Sequence, residues 1–262
     1  MMMALPRIVS HFSCGAASAV ATKLVLPEYP SERVVIINAY IKEEHEDNQR
    51  FLRDCERWFD HPIMQVRDEK CGASCREVFR RKRFLKNKNG APCSRALKRD
   101  VLEQHSLPDD IFVLGYTAEE EDRLNRFIDA NNSRRVLTPL IDRGLTKSDC
   151  LAMIQRAGIE LPMMYRLGFN NNNCIGCCKG GMGYWNKTRQ MFPSDFQEIA
   201  DIEESLGPTA YLFRDRKTNV RFPLRQLPLG AGRHDEPDIS CSVFCELVEH
   251  SLAVEARDGG AK

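Results

Sequence analysis

The sequence has no apolar run approaching the roughly 20 residues that cross a bilayer, so no membrane partner is expected. It also lacks net charge. Lys and Arg number 38 against 37 Asp and Glu, for a formal charge of +1. No global field therefore draws the chain to nucleic acid or an anionic surface, and only a local patch could do so. The opening Met1-Met2-Met3-Ala4-Leu5-Pro6-Arg7 has no long apolar stretch of the kind a secretory leader carries. A cytoplasmic location is the expectation. There is no internal repeat and no extended low-complexity segment. With 42% hydrophobic and 29% charged residues, the 262-residue chain has an ordinary globular composition, which argues against general disorder. What it does have in quantity is cysteine. Eleven is an odd number, and several lie at short spacings. In a reducing compartment that favours a metal or catalytic role over a disulfide framework.

The first half alternates strand and helix signals. Apolar runs at 7–13, 34–40, 62–66 and 110–115 read as strands. A helix-permissive stretch from Ala17 to Leu26 stops at Pro27, and Phe51, Leu52, Cys55, Trp58 and Phe59 form one stripe of a helix over 47–59. Such alternation implies right-handed crossovers and a mostly parallel sheet, so the fold class is α/β. Two helices are expected in the basic stretch between the third and fourth strands, at 75–85 and 94–104. Beyond Pro139 the alternation ends, with helices expected at 146–157 and 193–206, an irregular excursion over 214–238 and a frayed tail from 254. The expected division is a nucleotide-binding α/β domain at 1–142, with a basic lid at 70–105, and a helical and irregular cysteine-bearing region at 143–262.

Three segments could carry chemistry. Ser13, Cys14, Gly15, Ala16, Ala17 and Ser18 form a small-residue turn between the first strand and its helix. Amides at a helix start can hold phosphate oxygens, and α/β sheets bind ligands beyond the carboxyl ends of their strands. The same small residues would suit any tight junction. Gly115 through Arg123 follows another strand end. Gly115 suits a sharp exit and Arg123 could reach a phosphate, although the local pattern equally allows Arg123 and Arg126 to pair back to Glu119 and Asp122. The third segment, Asn170 to Gly181, holds Cys174, Cys177 and Cys178. A Cys-x-x-Cys turn offers two sulfurs to one metal or cluster, and all-sulfur ligation suits zinc or an iron–sulfur centre. Cys71 with Cys75, Cys241 with Cys245, and the isolated Cys93 are further thiols, while Cys55 and Cys150 fall on apolar helix stripes as packing residues.

In this order the elements resemble the phosphoadenosine phosphosulfate (PAPS) reductase group of the PP-loop, or adenine-nucleotide α-hydrolase, superfamily. The likeness is to its divergent phage version, which would place the protein in a host cytoplasm. It covers residues 7–186. Ser13 to Ser18 sits where the family carries S-G-G-x-D-S, with Cys14 in place of a glycine and Ala17 in place of the aspartate. Tyr40-Ile41-Lys42 stands where Asp-Thr-Gly is common. Thr138 to Asp142, Thr146 to Asp149 and above all Leu161 to Phe169 followed by Cys174 and Cys177 resemble the family's later segments. These departures weigh against magnesium-assisted pyrophosphate cleavage more than against nucleotide binding.

The resemblance implies a Rossmann-like parallel sheet and an enzyme that binds an adenine nucleotide (ATP or PAPS) at Ser13, Cys14, Gly15, Ala16, Ala17, Ser18, Gly115 and Arg123. It implies sulfur redox or sulfur-transfer chemistry beside a 4Fe-4S cluster, with an electron donor as partner. A cubane takes four thiolates. Cys93, Cys174 and Cys177 supply three, and Cys245 is expected to complete the set, with Cys241 either free or a substitute ligand; Cys178 is a poor default fourth that tandem ligation in the family's iron–sulfur branch keeps open. Cys241 is then either the catalytic nucleophile that the reductases keep near the C-terminus or a packed strand end. Two other functions stay open. One is ATP-dependent thiolation of nucleic acid, held by the basic stretch from Arg76 to Arg99. The other is a non-catalytic nucleotide-binding protein stapled by zinc.

Overall fold

The computed structural model describes residues 5–87, 90–232 and 239. In chain order the principal elements are β1 (Ile8–His11), α1 (Ala16–Val25), β2 (Val34–Ala39), α2 (Asn48–Phe59), β3 (Ile63–Val66), α3 (Cys75–Lys82), α4 (Asp100–Glu103), β4 (Ile111–Val113), α5 (Glu121–Ala130), β5 (Arg135–Leu137), α6 (Lys147–Arg156), α7 (Met163–Arg166), α8 (Met182–Met191), α9 (Pro193–Leu206), β6 (Phe213–Arg214) and β7 (Arg221–Phe222). Among the described residues no helix is long and apolar enough to cross a membrane. The chain divides into two compact units, one of 1–40, 46–67 and 100–168, the other of 41–45, 68–99 and 169–262.

The first unit is an α/β fold around a five-stranded parallel sheet in the order β3-β2-β1-β4-β5. β1 is central, with Ile8 opposite both Val34 and Ile111. Ile8 and Val9 are fully buried, which is why the strand reads as a continuous apolar run rather than an alternating one. α1 is built from small residues, and Ala19, Val20 and Val25 bury its inner face. It packs against α6, and the Phe51, Leu52, Cys55 and Phe59 stripe of α2 joins the same core. β5 is absent from the sequence expectation. It has only three residues, none of them buried, so no apolar run announces it.

The second unit gathers α3, a π-helical turn at Ser94–Arg99, α8, α9 and the β6–β7 hairpin around the fully buried Trp185. The buried Glu203 carboxylate of α9 accepts the amides of Leu212 (2.6 Å) and Leu224 (2.5 Å), tying α9 to the segments around the hairpin. Burial raises its pKa against the effect of those two bonds. Four features correct the sequence expectation. The division does not fall at 142/143, because residues 143–168 pack with the sheet unit. The stretch 70–105 is no single lid, being split between the units at Arg99/Asp100. α8 was not expected, and the irregular excursion from 214 contains β7.

Candidate functional site

In the sheet unit the chain runs from β1 to β2 on one side and reaches β4 on the other. This reversal of strand order makes a switch point, where open parallel sheets bind ligands beyond the carboxyl ends of their strands. The turn after β1 and the loop after β4 both leave from there. They approach closely: a Cβ on Gly115 would lie 3.1 Å from the Cα and N of Ser18. The structure thus brings Gly115 beside Ser13–Ser18.

Within the turn, Gly15 is the N-cap of α1 and contributes no side-chain cap, and the first turn holds no acidic residue. The leading amides of a helix have no intrahelical acceptor and face outward with the positive end of the dipole. Ser18 Oγ accepts the Ser13 amide at 3.2 Å, lies 3.1 Å from Ser13 Oγ and donates to the Gly15 carbonyl. The Ala16 amide donates to the Tyr165 hydroxyl at 3.3 Å. Cys14 has φ +56, the left-handed region that a glycine would occupy freely, and its side chain is 1% exposed. Its sulfur lies against the Asn38 amide group and the Asn48 carbonyl.

An ion-pair network anchors Tyr165. Asp47 pairs with Arg50, accepts the Met163 amide at 2.8 Å and lies 3.9 Å from Arg166. The Arg50 guanidinium beside it holds the Asp47 carboxyl below its usual range. Arg123 pairs with Glu120 and stacks over Tyr116, with 4.5 Å between guanidinium and ring centroid. That partner is the capping-box glutamate of the preceding turn.

The second unit contains a cavity of about 20 Å³ lined by five thiols, those of Cys75, Cys93, Cys174, Cys177 and Cys178, with Glu43, Arg76 and Lys98 beside them. The cysteines arrive on three segments. Ser74 caps α3, accepting the Glu77 amide, so Cys75 is the first helical residue. The buried Glu43 carboxylate fixes that start by accepting the Ser74 hydroxyl (2.5 Å) and the Cys75 amide (2.8 Å), while its carbonyl accepts the Ile175 amide. Cys93 precedes the π-helical turn that carries Lys98. The Tyr184 hydroxyl closes the third segment, accepting the Cys177 amide at 2.9 Å and donating to the Cys174 carbonyl at 2.8 Å. Two glycines are required there. Gly176 has φ +77, and a Cβ on Gly180 would lie 2.1 Å from the Tyr184 ring.

The thiols form a row. Cys174 and Cys75 sulfurs are 4.0 Å apart, Cys75 is hydrogen-bonded to Cys93, and Cys93 to Cys178. Cys178 also contacts the Leu85 carbonyl at 3.3 Å. Cys93 is held well below the ordinary thiol pKa by the hydrogen bonds from Cys178 and Cys75, with Lys179 and Lys98 adding to the effect. Cys75 is pushed well above it by its hydrogen bonds with Cys174 and Cys93 and by burial, and Cys178 by its hydrogen bond with Cys93 and by burial. Among the described residues no group of three or more His, Cys, Asp or Glu side chains converges so as to hold a metal ion.

Of the thiols singled out in the sequence, Cys93, Cys174 and Cys177 meet at this cavity, while Cys241 and Cys245 lie outside the described residues. Cys55 and Cys150 are core residues, as expected. The sequence offers Cys75 only as a further thiol paired with Cys71, and Cys178 only as a poor default fourth ligand. The only signal for either was its nearness to another cysteine. Four cations of the basic stretch make internal pairs. Arg76 pairs with Asp195 and Glu198 of α9, Arg80 with Glu198, Arg81 with Glu77, and Lys98 lies 3.5 Å from Glu44. No protein-family model matches the sequence, and no curated protein matches it significantly.

Proposed function

We propose that the chain is an adenine-nucleotide-binding enzyme of the PAPS reductase type, carrying out sulfur redox chemistry with a thiolate-held iron–sulfur cluster. The observation that carries this reading is the meeting of five cysteines, from segments as far apart as Cys75 and Cys178, around one buried cavity. Support for the nucleotide comes from the Rossmann-like strand order and the uncapped start of α1 at its switch point. There Gly15 leaves room for a phosphate, and the amides of Gly15, Ala17 and Ser18 with the Ser13 and Ser18 hydroxyls would bind its oxygens, the Ala16 amide being held by the Tyr165 hydroxyl. No aspartate or other first-turn carboxylate is present to hold magnesium, so binding by amides is the chemistry favoured.

In element type the donor set suits a cluster, and binding one would require the thiols to turn toward a common centre, since no three of them converge among the described residues. Its members are sulfur, they are shielded from water, and the Cys93 thiol is held well below its usual range by its hydrogen bonds with Cys178 and Cys75. Such a cluster would supply a redox-active centre. The residues around it hold Cys75 at the start of α3, close the 174–177 turn and place a lysine cation near the sulfurs. The overall reaction would reduce a sulfonucleotide by two electrons from an external dithiol donor, releasing sulfite and adenosine bisphosphate.

Anaerobic purification tests this reading, followed by a visible spectrum, analysis of iron, zinc and sulfide, and calorimetry with ATP, AMP and PAPS. Brown protein that binds PAPS and releases sulfite is the expected result. Colourless protein with stoichiometric zinc and no turnover would identify a non-catalytic nucleotide binder. Thiolated nucleic acid without sulfite would identify a modification enzyme.

A further inference from the structure

The sequence offers the stretch from Arg76 to Arg99 as its basic surface, yet Arg76, Arg80, Arg81 and Lys98 there are paired with carboxylates. The β6–β7 hairpin differs. From 214 to 221 it carries Arg214, Arg216, Lys217 and Arg221 against the single carboxylate of Asp215, in a chain whose net charge is only +1. None of these four cations makes an ion pair among the described residues. Arg214 donates to the Asn219 carbonyl (2.8 Å) and to Asn219 Oδ1 (3.2 Å), both neutral acceptors. Arg221 donates to the Tyr211 carbonyl, with the buried Glu203 carboxylate acting on it only through space. Asp215 is committed to the turn: its Oδ1 accepts the amides of Lys217 (2.9 Å) and Thr218 (2.8 Å) and the Thr218 hydroxyl (3.0 Å). Arg225, just beyond the hairpin, is by contrast paired with Asp201 and Glu204.

The register adds to this. Arg214 and Arg221 are direct cross-strand partners, and like charges so placed are destabilising. Packing does not require them, because Phe213 and Phe222, stacked with ring centroids 6.1 Å apart, supply the apolar contact of the strand pair. An anionic partner would remove the repulsion. The base of the hairpin is fixed, with Glu203 accepting the Leu212 and Leu224 amides on its two flanks. Residues 214–220 are exposed throughout. The charges are thus presented on an ordered support, which lowers the entropy lost on binding.

We propose that the β6–β7 hairpin is a docking surface for duplex DNA, with Arg214, Arg216, Lys217 and Arg221 on backbone phosphates. The proposal does not depend on the metal-centred function. The arginine fork matches phosphate oxygens in pairs. A ribbon of two strands about 4.8 Å apart enters the roughly 12 Å-wide major groove of B-DNA. The major groove of an RNA helix is too deep and narrow for it. An anionic membrane would call for large apolar or aromatic side chains among the cations, and Val220 is the one apolar residue from 214 to 221.

Fluorescence anisotropy of a labelled duplex of about 20 base pairs, titrated with the full chain over about 50–200 mM NaCl, tests this. Four phosphate contacts give a slope of log affinity against log salt of about −3.6. Arg216→Gln combined with Lys217→Gln alters two exposed side chains, and Lys217 takes part in the turn through its backbone amide. That double variant should halve the slope and weaken binding by roughly 60-fold at about 0.1 M salt, with unchanged circular dichroism. Arg80→Gln should bind as the wild type does. No duplex binding at about 50 mM salt overturns the proposal. So does a slope unchanged in the double variant, or lowered equally by Arg80→Gln. Tighter binding of double-stranded RNA of the same length, or capture by phosphatidylserine vesicles alone, overturns it too. If the double variant misfolds, Arg216→Gln alone, expected to lower the slope by about 0.9, decides the matter. Iron content and sulfite release do not enter these readouts, so failure here leaves the enzymatic reading standing.

Discussion

Replacing Gly115 by alanine isolates the contact that holds the two switch-point loops together. The glycine does not have a positive φ, so alanine meets no backbone penalty there. The whole cost is steric. An added Cβ would lie 3.1 Å from the Cα and N of Ser18 and 3.3 Å from the Ala17 carbonyl carbon, all of them backbone atoms. Carbon contacts are comfortable at about 3.5–4.0 Å, so the start of α1 must retreat by about half an ångström. Because α1 packs in a core that includes Ala19, Val20 and Val25, that retreat strains it, at the usual overpacking cost of about 1–3 kcal/mol. Gly15→Ala is the control. Its nearest neighbours would be the Ser13 oxygen at 3.5 Å and the Tyr165 hydroxyl at 3.7 Å, both ordinary contacts, and its φ is −93. Urea unfolding at 25 °C, followed by circular dichroism, should show Gly115→Ala lowered by that amount and Gly15→Ala within about 0.5 kcal/mol of the wild type. Calorimetry with ATP should show weaker binding for Gly115→Ala. If Gly115→Ala is as stable as the wild type, or Gly15→Ala is the less stable of the two, the close approach of these loops is refuted.

Cys14 tests strain against burial. The left-handed backbone costs a side chain about 1–2 kcal/mol, and burying a small apolar group returns a similar amount, so Cys14→Gly should be near neutral by urea unfolding, whereas Cys14→Ala, which keeps the strain and loses the sulfur, should be clearly less stable. Glu43→Gln should lower stability by about 1–2 kcal/mol through loss of one acceptor from the Ser74 and Cys75 clamp, and metal retention measured after dialysis should fall with it. His11, whose ring nitrogens are shielded and whose pKa burial pushes down to about 4, with Arg134 lowering it further and Asp110 opposing, stays neutral in the fold. The unfolded chain binds the proton below about 6.5. Stability from this group is therefore complete above pH 6.5 and declines by about 3 kcal/mol as pH falls toward 4. His11→Asn should flatten the stability profile between pH 6.5 and 4.5, and an unchanged slope would count against the shift.

The sheet was legible because its strands are short apolar runs bounded by turn residues, and β1, β2 and α2 are found where Ile8–His11, Val34–Ala39 and the Phe51 stripe placed them. β5 was not, since Arg135-Val136-Leu137 has neither length nor full burial. α8 begins after two glycines and contains a third, which disguises a helix whose buried Trp185 and Thr188 are set by the surrounding core. The site was half legible. Cys174 and Cys177 could be picked out by their Cys-x-x-Cys spacing, and Cys93 only through the resemblance. Cys75 could not, because its inward direction depends on the Ser74 cap and a buried carboxylate 31 or 32 positions away. Nor could the contact between Cys178 and Cys93, which depends on the path of the backbone through Gly176 and Gly180. Local spacing carries the two-residue features and is silent on which side chains meet across about 100 positions.

Whether the thiol row is packing or a site turns on magnitudes. The void beside it, about 20 Å³, costs only about 0.5 kcal/mol at roughly 24 cal/mol per Å³, so its existence decides nothing. Buried thiols are themselves ordinary small apolar groups. Polarity is the feature that packing by apolar groups would not need. Lys98 is 8% exposed and lies 3.5 Å from Glu44, and the Cys93 thiol is held well below its usual range by hydrogen bonds with Cys178 and Cys75. Buried charges cost several kcal/mol each before pairing, and apolar residues of the same volume would avoid that cost. A metal held by four thiolates changes the balance. Thiolate-held zinc binds with about 10–16 kcal/mol, comparable with the roughly 5–15 kcal/mol that stabilises a whole domain. Removing the metal should therefore weaken the unit that carries the cysteines far more than the sheet unit. The two tryptophans separate these outcomes, because Trp58 belongs to the sheet unit and Trp185 to the other. In a Trp58→Phe background, chelation should shift the Trp185 emission to the red and lower its melting temperature by several degrees or more. Emission and melting that do not respond to chelation of metal-loaded protein would mean that the row is packing after all.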